Sequence, residues 1–359
     1  MRTIAFASLV GAASAAAPSA TDYNVLVMGG TFCVCAAPSL IASALACAPV
    51  PIAHPPTLPP PHPSDWGGAG SAPFTTKEEI STAAAMEVSA AKYSVPWGLA
   101  LGDNFYSKGV TSEFDSRFHD TFENVFTGEH LQGEDFFRVL VGNHDHYGNV
   151  TAQVEYSNHS KRWRMDDLYY SFTETVPATS ATAAAQTIEV VMMDTCTICG
   201  FDHVIDPATG HHTSSAGDKL PTPVFGSPEK AFADAQVAWL NRTLMSSTAD
   251  YLILAGHYPV YSVCEHGPTA CLISEVKPII DAAGVQIVVA GHDHCQEYLE
   301  VGATQYHGMG SAHTNDASTA HTGAVPAGSL KWHQARSSAH SRRHSRRRGS
   351  ALAAGRSSA

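Results

Sequence analysis

Four times along this chain a short apolar run stops at a glycine, and side chains able to ligate a metal follow at once. The runs are residues 97–101, 136–141, 251–255 and 285–290. They lead into Gly-Asp-Asn-Phe-Tyr (102–106), Gly-Asn-His-Asp (142–145), Gly-His-Tyr-Pro (256–259) and Gly-His-Asp-His (291–294). Near-continuous apolar runs of this length read as strands covered on both faces. Residues 188–193, entering Asp194, and 23–28, entering Gly29, read the same way. Between the strands, residues 75–93, 113–126 and 228–246 read as helices. The first has Thr76 as N-cap with Glu79 three residues on. The last has Ala235, Ala238, Trp239 and Leu240 on its apolar side. Alternating strands and helices specify an α/β fold. In open α/β sheets, ligands bind at the carboxyl ends of the strands. Distant segments can therefore deliver their polar residues to one sheet edge.

Those residues are carboxylates, imidazoles, an amide oxygen and a phenol, with Asp65 of Asp-Trp-Gly-Gly (65–68) as a fifth contribution. A mixed N/O set without thiolates suits iron, zinc or manganese and not a structural zinc site. A carboxylate can bridge two cations, and two cations can clamp a phosphoryl group and supply hydroxide.

Charge narrows the function further. The formal net charge is -12, yet from Lys331 onward the chain carries basic residues and no acidic ones. The folded body is therefore strongly acidic, which argues against nucleic-acid binding. No uncharged apolar run is long enough to span a membrane. Arg2, the apolar run 4–17 and small residues at Ala13, Ala15 and Ala17 read as an export signal over residues 1–20. Sequons at Asn149, Asn158 and Asn241 agree with export. Export would permit disulfides among the eight cysteines.

With these motifs in view, the chain resembles the small, animal-type purple acid phosphatases (tartrate-resistant acid phosphatases) of the calcineurin-like metallophosphoesterases. The likeness runs from Asp65 to about Ser311 and includes residues 23–29. It is carried by Gly-Asp-Asn-Phe-Tyr, Gly-Asn-His-Asp-His-Tyr-Gly-Asn-Val, Ser160-Lys-Arg-Trp163 and Glu-His-Gly-Pro-Thr (265–269). The resemblance implies a four-layered αββα sandwich of two mixed sheets flanked by helices. It implies a binuclear metal centre, with Asp65, Tyr106 and His294 on a ferric ion and Asn143, His257 and His292 on a divalent ion (Fe, Zn or Mn). Asp103 would bridge the two, and the Tyr106 phenolate would give a purple colour. His144 and His266 would contact the substrate phosphate and protonate the leaving alkoxide after a metal-bound hydroxide attacks phosphorus. Cys199 and Cys271 match the family's disulfide. Cys264 and Cys295 are expected as buried thiols. His313 reads as a loop residue near the pocket, and Trp66 as a packing residue.

The expected activity is acid hydrolysis of phosphate monoesters, small or on phosphoproteins, in a secreted or lysosomal/vacuolar enzyme. The alternatives are a phosphodiesterase or phosphoprotein phosphatase of the same superfamily, or an inactive secreted metal-binding protein. The last alternative arises from two departures. Residues 30–64 separate the first strand (21–29) from Asp65 with nine prolines and no charged residue. Pro at this density opposes both helix and central strand. This segment is read as an unspliced intron or a surface loop. After the catalytic domain (65–315), residues 316–359 read as an Arg/Ser/His-rich disordered tail in place of the family's last strands.

Overall fold

A computed structural model describes residues 66–177, 184–200, 222–312 and 316–334, together with the backbone of five short strands outside these ranges. Three of the five lie near the start of the chain: β1 (Ile4–Ser8), β2 (Tyr23–Met28) and β3 (Phe32–Ala36). With β4 (Gly98–Leu101), β5 (Phe137–Leu140) and β6 (Trp163–Arg164) they form a six-stranded sheet of order β1-β3-β2-β4-β5-β6. The chain continues through β7 (Tyr170–Val176), β8 (Gln186–Met192) and the separate pair β9 (Val204–Ile205) and β10 (His212–Thr213). It then forms β11 (Tyr251–Gly256), β12 (Ile287–Ala290), β13 (Gln296–Val301), β14 (Thr304–Met309) and β15 (Leu330–His333). The second sheet has the order β15-β13-β14-β12-β11-β8-β7.

Side-chain alternation sets the layers. In β8, Ile188, Val190 and Met192 enter one core cluster, while Val191 and Met193 enter another. In β11 and β12, Tyr251, Ile253, Ala255, Ile287 and Val289 join the first cluster, and Leu252, Leu254 and Val288 the second. Period-two alternation of wholly apolar strands is what a sheet covered on both faces requires. The first cluster also holds Leu99, Leu101 and Val139 of the other sheet and Ala83, Met86 and Ala90 of α1 (Lys77–Tyr93). The second cluster is closed by helices that follow the first sheet's short α2 (Asn143–His146) and α3 (Val150–Glu155). These are α4 (Thr195–Cys199), α5 (Pro228–Ser246), α6 (Ala270–Glu275) and α7 (Lys277–Ala283). Two mixed sheets between helices make the expected αββα sandwich.

Local signals act as the sequence predicts at two helices. Thr76 and Glu79 form a reciprocal capping box on α1, and Ser227 caps α5 ahead of Pro228. Three expectations fail. Residues 113–126 form bends and a π-helical turn at Phe118–Glu123, not one regular helix. On α5 the buried face is Ala233, Gln236, Leu240 and Leu244, while Ala235 and Ala238 are exposed. Gln236 is polar and so was invisible to an apolar pattern. Residues 316–334 are not the start of a tail: they carry β15, which pairs antiparallel with β13. Leu330 joins the second core cluster and Val325 is buried there, so this segment has apolar anchors that the following basic stretch lacks. Within 30–64, β3 forms in the stretch before the first proline, Pro38, and pairs with β2 and β1. The proline-bearing remainder and residues 335–359 lie outside the described residues.

Candidate metal centre

The ends of β4, β5, β11 and β12 converge because glycine lets them. A Cβ on Gly102 would lie 2.6 Å from the Gly142 nitrogen and 2.7 Å from His257 Nδ1. One on Gly142 would lie 2.7 Å from His257 Cε1. No side chain fits at either point, so the strand ends close on one another. Two non-glycine residues next to these turns, Asp103 and His292, have φ of 50° and 65°. Such left-handed backbone is disfavoured by roughly 1–2 kcal/mol and aims both side chains at the common edge.

Four of the expected residues meet directly. The Tyr106 hydroxyl donates to Asp103 Oδ2 at 2.7 Å. Asp103 Oδ1 accepts from the His144 backbone N–H at 2.9 Å and lies 3.4 Å from His257 Nε2. His257 Nε2 is 3.0 Å from Asn143 Oδ1. His257 Nδ1 lies 2.8 Å from the Leu101 carbonyl, which can only accept, so the ring proton sits on Nδ1. In the neutral imidazole, Nε2 then presents a lone pair. A nitrogen lone pair, an amide oxygen and a carboxylate oxygen thus face one another, with Asp103 and His257 buried and Asn143 half-buried. Such a cluster is repulsive unless a cation occupies its focus, and the donors are of the kinds that iron, zinc and manganese accept. The residues present therefore fit a metal.

His292 joins through ring contacts, its centroid 5.1 Å from His257 and 4.3 Å from His266. His294 is partly buried on the same turn, and its carbonyl accepts from Asp316 N–H at 2.7 Å. His144 tilts against Tyr106 at 4.4 Å, and its Nδ1 lies 2.9 Å from the Ser107 carbonyl. Asp65 and His313 lie outside the described residues. The neighbours of Asp65 are held firmly. Trp66 Nε1 donates to Asn104 Oδ1 at 2.9 Å, and the Tyr106 N–H donates to the Gly67 carbonyl at 3.1 Å. Trp66 is fully buried against Phe105, Phe126 and Trp163, the packing role expected of it.

Several residues that hold this edge together escaped the sequence reading. Asp145, wholly buried, accepts from the N–H groups of Gly142, Asn104 and Phe105 at 2.8, 3.0 and 3.2 Å and from Gln153 at 2.9 Å. Burial and then the Asp103 carboxylate push its pKa up, while these hydrogen bonds oppose them. Arg117 donates to the carbonyls of Tyr106 at 2.6 Å and Gly67 at 2.9 Å, tying the 66–68 turn to the 103–106 turn. Asp293 accepts from His266 N–H at 2.8 Å and Gly267 N–H at 3.3 Å. His146 of α2 meets Asp194 at 2.9 Å, linking the two sheets. Asp145 and Asp293 lie inside the recognised motifs, so position beside a ligand was their signal. Arg117 had none.

The cysteines bring one agreement and one correction. Cys199 and Cys271 are joined, with Cα atoms 5.6 Å apart. Cys264 and Cys295, expected as thiols, are also joined, Cα to Cα 6.3 Å. Their 31-residue separation in sequence gave no hint of the pairing; Cys295 stands directly before β13, whose Glu297 accepts from the Val263 N–H. Among the described residues Cys196 is the free cysteine, and it is buried.

The family described as calcineurin-like phosphoesterase matches residues 65–296. Tartrate-resistant acid phosphatase type 5 of Oryctolagus cuniculus is 38% identical over 270 residues, covering 75% of this chain and 77% of that protein. The Homo sapiens protein of the same name is 36% identical with the same coverage. Purple acid phosphatase 3 of Arabidopsis thaliana is 29% identical over 237 residues, 66% of this chain and 57% of that one. Among solved structures, "GAP50 the anchor in the inner membrane complex of Plasmodium" superposes with a TM-score of 0.59 at 18% identity over 76% of each chain, a likeness of fold alone. The chain belongs to the calcineurin-like phosphoesterases and, within them, to the family of the tartrate-resistant acid phosphatases.

Proposed function

We propose that this chain is an acid phosphatase that hydrolyses phosphate monoesters, small or protein-borne. Membership of the family implies a dinuclear metal centre. In this reading Asp65, Tyr106 and His294 hold a ferric ion, Asn143, His257 and His292 hold a divalent ion (Fe, Zn or Mn), and Asp103 bridges them. The observation that carries it is the meeting of His257 Nε2, Asn143 Oδ1 and Asp103 Oδ1 within 3.0–3.4 Å. When bound, two cations neutralise phosphoryl oxygens and lower the pKa of a water molecule.

The chain's own residues supply the rest. His144 hydrogen-bonds through Nδ1 to the Ser107 carbonyl, which puts the proton there and leaves Nε2 to exchange a proton with substrate. His266 lies tilted against His292 and reaches the same edge from the second sheet. Each can contact the phosphate and protonate the departing alkoxide, the task for which an imidazole is suited in acid. Two disulfides fit an oxidising, exported setting, and Asn149, Asn158 and Asn241 are exposed. No helix among the described residues is long and apolar enough to cross a membrane. We read the enzyme as secreted or lysosomal/vacuolar.

The test is turnover of a chromogenic phosphate monoester across pH, with metal analysis of the same sample. His144→Ala and His266→Ala should each lower kcat about 10²–10⁴-fold with metal content near wild type. Metal-replete protein without acid phosphatase activity refutes the function. Metal lost in parallel with activity refutes the roles given to the two histidines.

A further inference from the structure

We propose that the Cys264–Cys295 disulfide is a clamp that positions His266 against the metal-ligand turn; the proposal rests on the catalytic reading of His266 above. Both half-cystines are fully buried, and each lies beside a residue of the site. Cys264 stands two residues before His266, and Cys295 directly follows His294. The bond therefore joins the 262–267 loop to the 291–295 turn at the place where the two must keep register.

Besides the packing of Val263 in the second core cluster, the loop is held by hydrogen bonds. Val263 N–H donates to Glu297 Oε2 at 3.0 Å, and Cys264 N–H to Ser262 Oγ at 3.0 Å. Asp293 takes the N–H groups of His266 and Gly267. His321 meets the Cys264 carbonyl through Nδ1 at 2.6 Å, and its N–H donates to the Val263 carbonyl at 3.0 Å. These bonds fix the backbone at separate points, and Gly267, with φ of 75°, turns the chain immediately after His266. The covalent bond holds the chain on the other side of His266. The result is the tilted 4.3 Å ring contact of His266 with His292. A shift of about 1 Å in a catalytic group can cost up to 10²-fold in rate, so a clamp here bears on kcat. The bond forms by thiol–disulfide exchange. The two thiols lose two protons and two electrons, an external disulfide oxidant is reduced to two thiols, and one Sγ–Sγ bond is made.

The experiment has two arms, both on the metal-loaded full chain. Non-reducing peptide mapping of wild type should recover the 264- and 295-bearing peptides linked. Free thiols overturn the proposal, whether alone or holding zinc together with His333, whose ring reaches within 4.8 Å of both sulfurs. The second arm is a double-mutant cycle. Cys264→Ala/Cys295→Ala should lower kcat about tenfold with KM and metal content near wild type. In the His266→Ala background the same pair should change kcat by less than about twofold. Equal losses in both backgrounds mean that the bond is merely structural, and the proposal fails. If the alanine pair does not fold, the volume-restoring Cys264→Ala/Cys295→Val takes its place. Wild-type kcat in His266→Ala alone would sink the catalytic reading of His266 and the clamp with it. A loss in His266→Ala with none in the cysteine pair would sink the clamp only.

Discussion

The Tyr106 hydroxyl donates to Asp103 Oδ2 at 2.7 Å, three residues apart on one turn and both nearly inaccessible to solvent. The two residues proposed to share one ion thus already share a proton, and that proton must leave for the phenol to ligate iron as phenolate. Tyr106→Phe should therefore abolish the visible absorption band of the loaded protein while iron content stays near wild type. Absorption spectra with parallel iron analysis decide it. A band that survives the substitution removes Tyr106 from the ferric site.

His146 and Asp194 tie α2 of one sheet to the start of α4 on the other. Burial pulls the His146 pKa down, but the Asp194 carboxylate outweighs this and the net shift is upward. A raised folded pKa stabilises fully below the unfolded value of 6.5, and the contribution fades as pH rises through the folded value. The pair thus serves the acid range in which the enzyme is proposed to work. Asp194 also accepts from the Cys196 and Thr197 N–H groups. Asp194→Ala should cost about 3–5 kcal/mol at pH 5, the range for breaking a buried pair, as read from urea unfolding. The loss should be smaller at pH 8. A loss that is the same at both pH values contradicts the charge pairing.

Glu79 has a pH signature of the same sign from a different cause. It is buried, its Oε1 has no hydrogen-bond partner, and burial pushes its pKa up to about 9 against the lowering effects of the Thr76 N–H and Arg117. An acid with a raised folded pKa stabilises the fold fully below its unfolded value of 4.5. That advantage is lost as pH climbs toward 9. Glu79→Gln keeps an oxygen for the Thr76 N–H and removes the charge. It should raise the melting temperature at pH 8 by a few degrees, about 1 kcal/mol for a domain of this size, with the gain shrinking toward pH 5. A lower melting temperature at pH 8 would show that Glu79 acts as a carboxylate.

What could be read in advance follows from how local each signal is. The four strands that end in Gly plus a ligand, β4, β5, β11 and β12, were legible because apolar runs and glycine are read residue by residue, and each has a parallel neighbour as the α/β pattern requires. The edge strands β6, β7 and β15 and the neighbouring β13–β14 pair were not, since their half-polar sequences gain strand character from their partners. At the site, residue types pointed to Asp103, Tyr106, Asn143 and His257 before their geometry was known. Arg117 and Gln236 could not be found that way. Each acts on carbonyls or amides of segments distant in sequence: Arg117 on Gly67, Gln236 on the Asp194 N–H at 2.9 Å. Tertiary structure alone creates those partners.

The last prediction concerns residues 30–64. β2 runs parallel to β4 with Met28 opposite Ala100, and Asp103 follows Ala100 by three residues. If Gly29 led directly to Asp65, the carboxylate would leave β2 at the same sheet edge at which Asp103 leaves β4. The 35 intervening residues separate Gly29 from Asp65 in sequence. Loop closure is not the obstacle, since each doubling of length costs only about 0.6 kcal/mol. Placement is, because a working site holds its groups within about 0.5 Å. Trp66 and Gly67 are pinned through Asn104, Tyr106 and Arg117, so the residues that follow Asp65 are anchored to the 103–106 turn. Excising residues 30–64 should therefore raise iron content and turnover at least several-fold over the full chain. The excision removes β3 and opens one edge of β2, so near-ultraviolet circular dichroism must first show that both proteins fold. Two folded proteins with equal iron content and equal kcat would establish the segment as a tolerated loop and dismiss its reading as an intron.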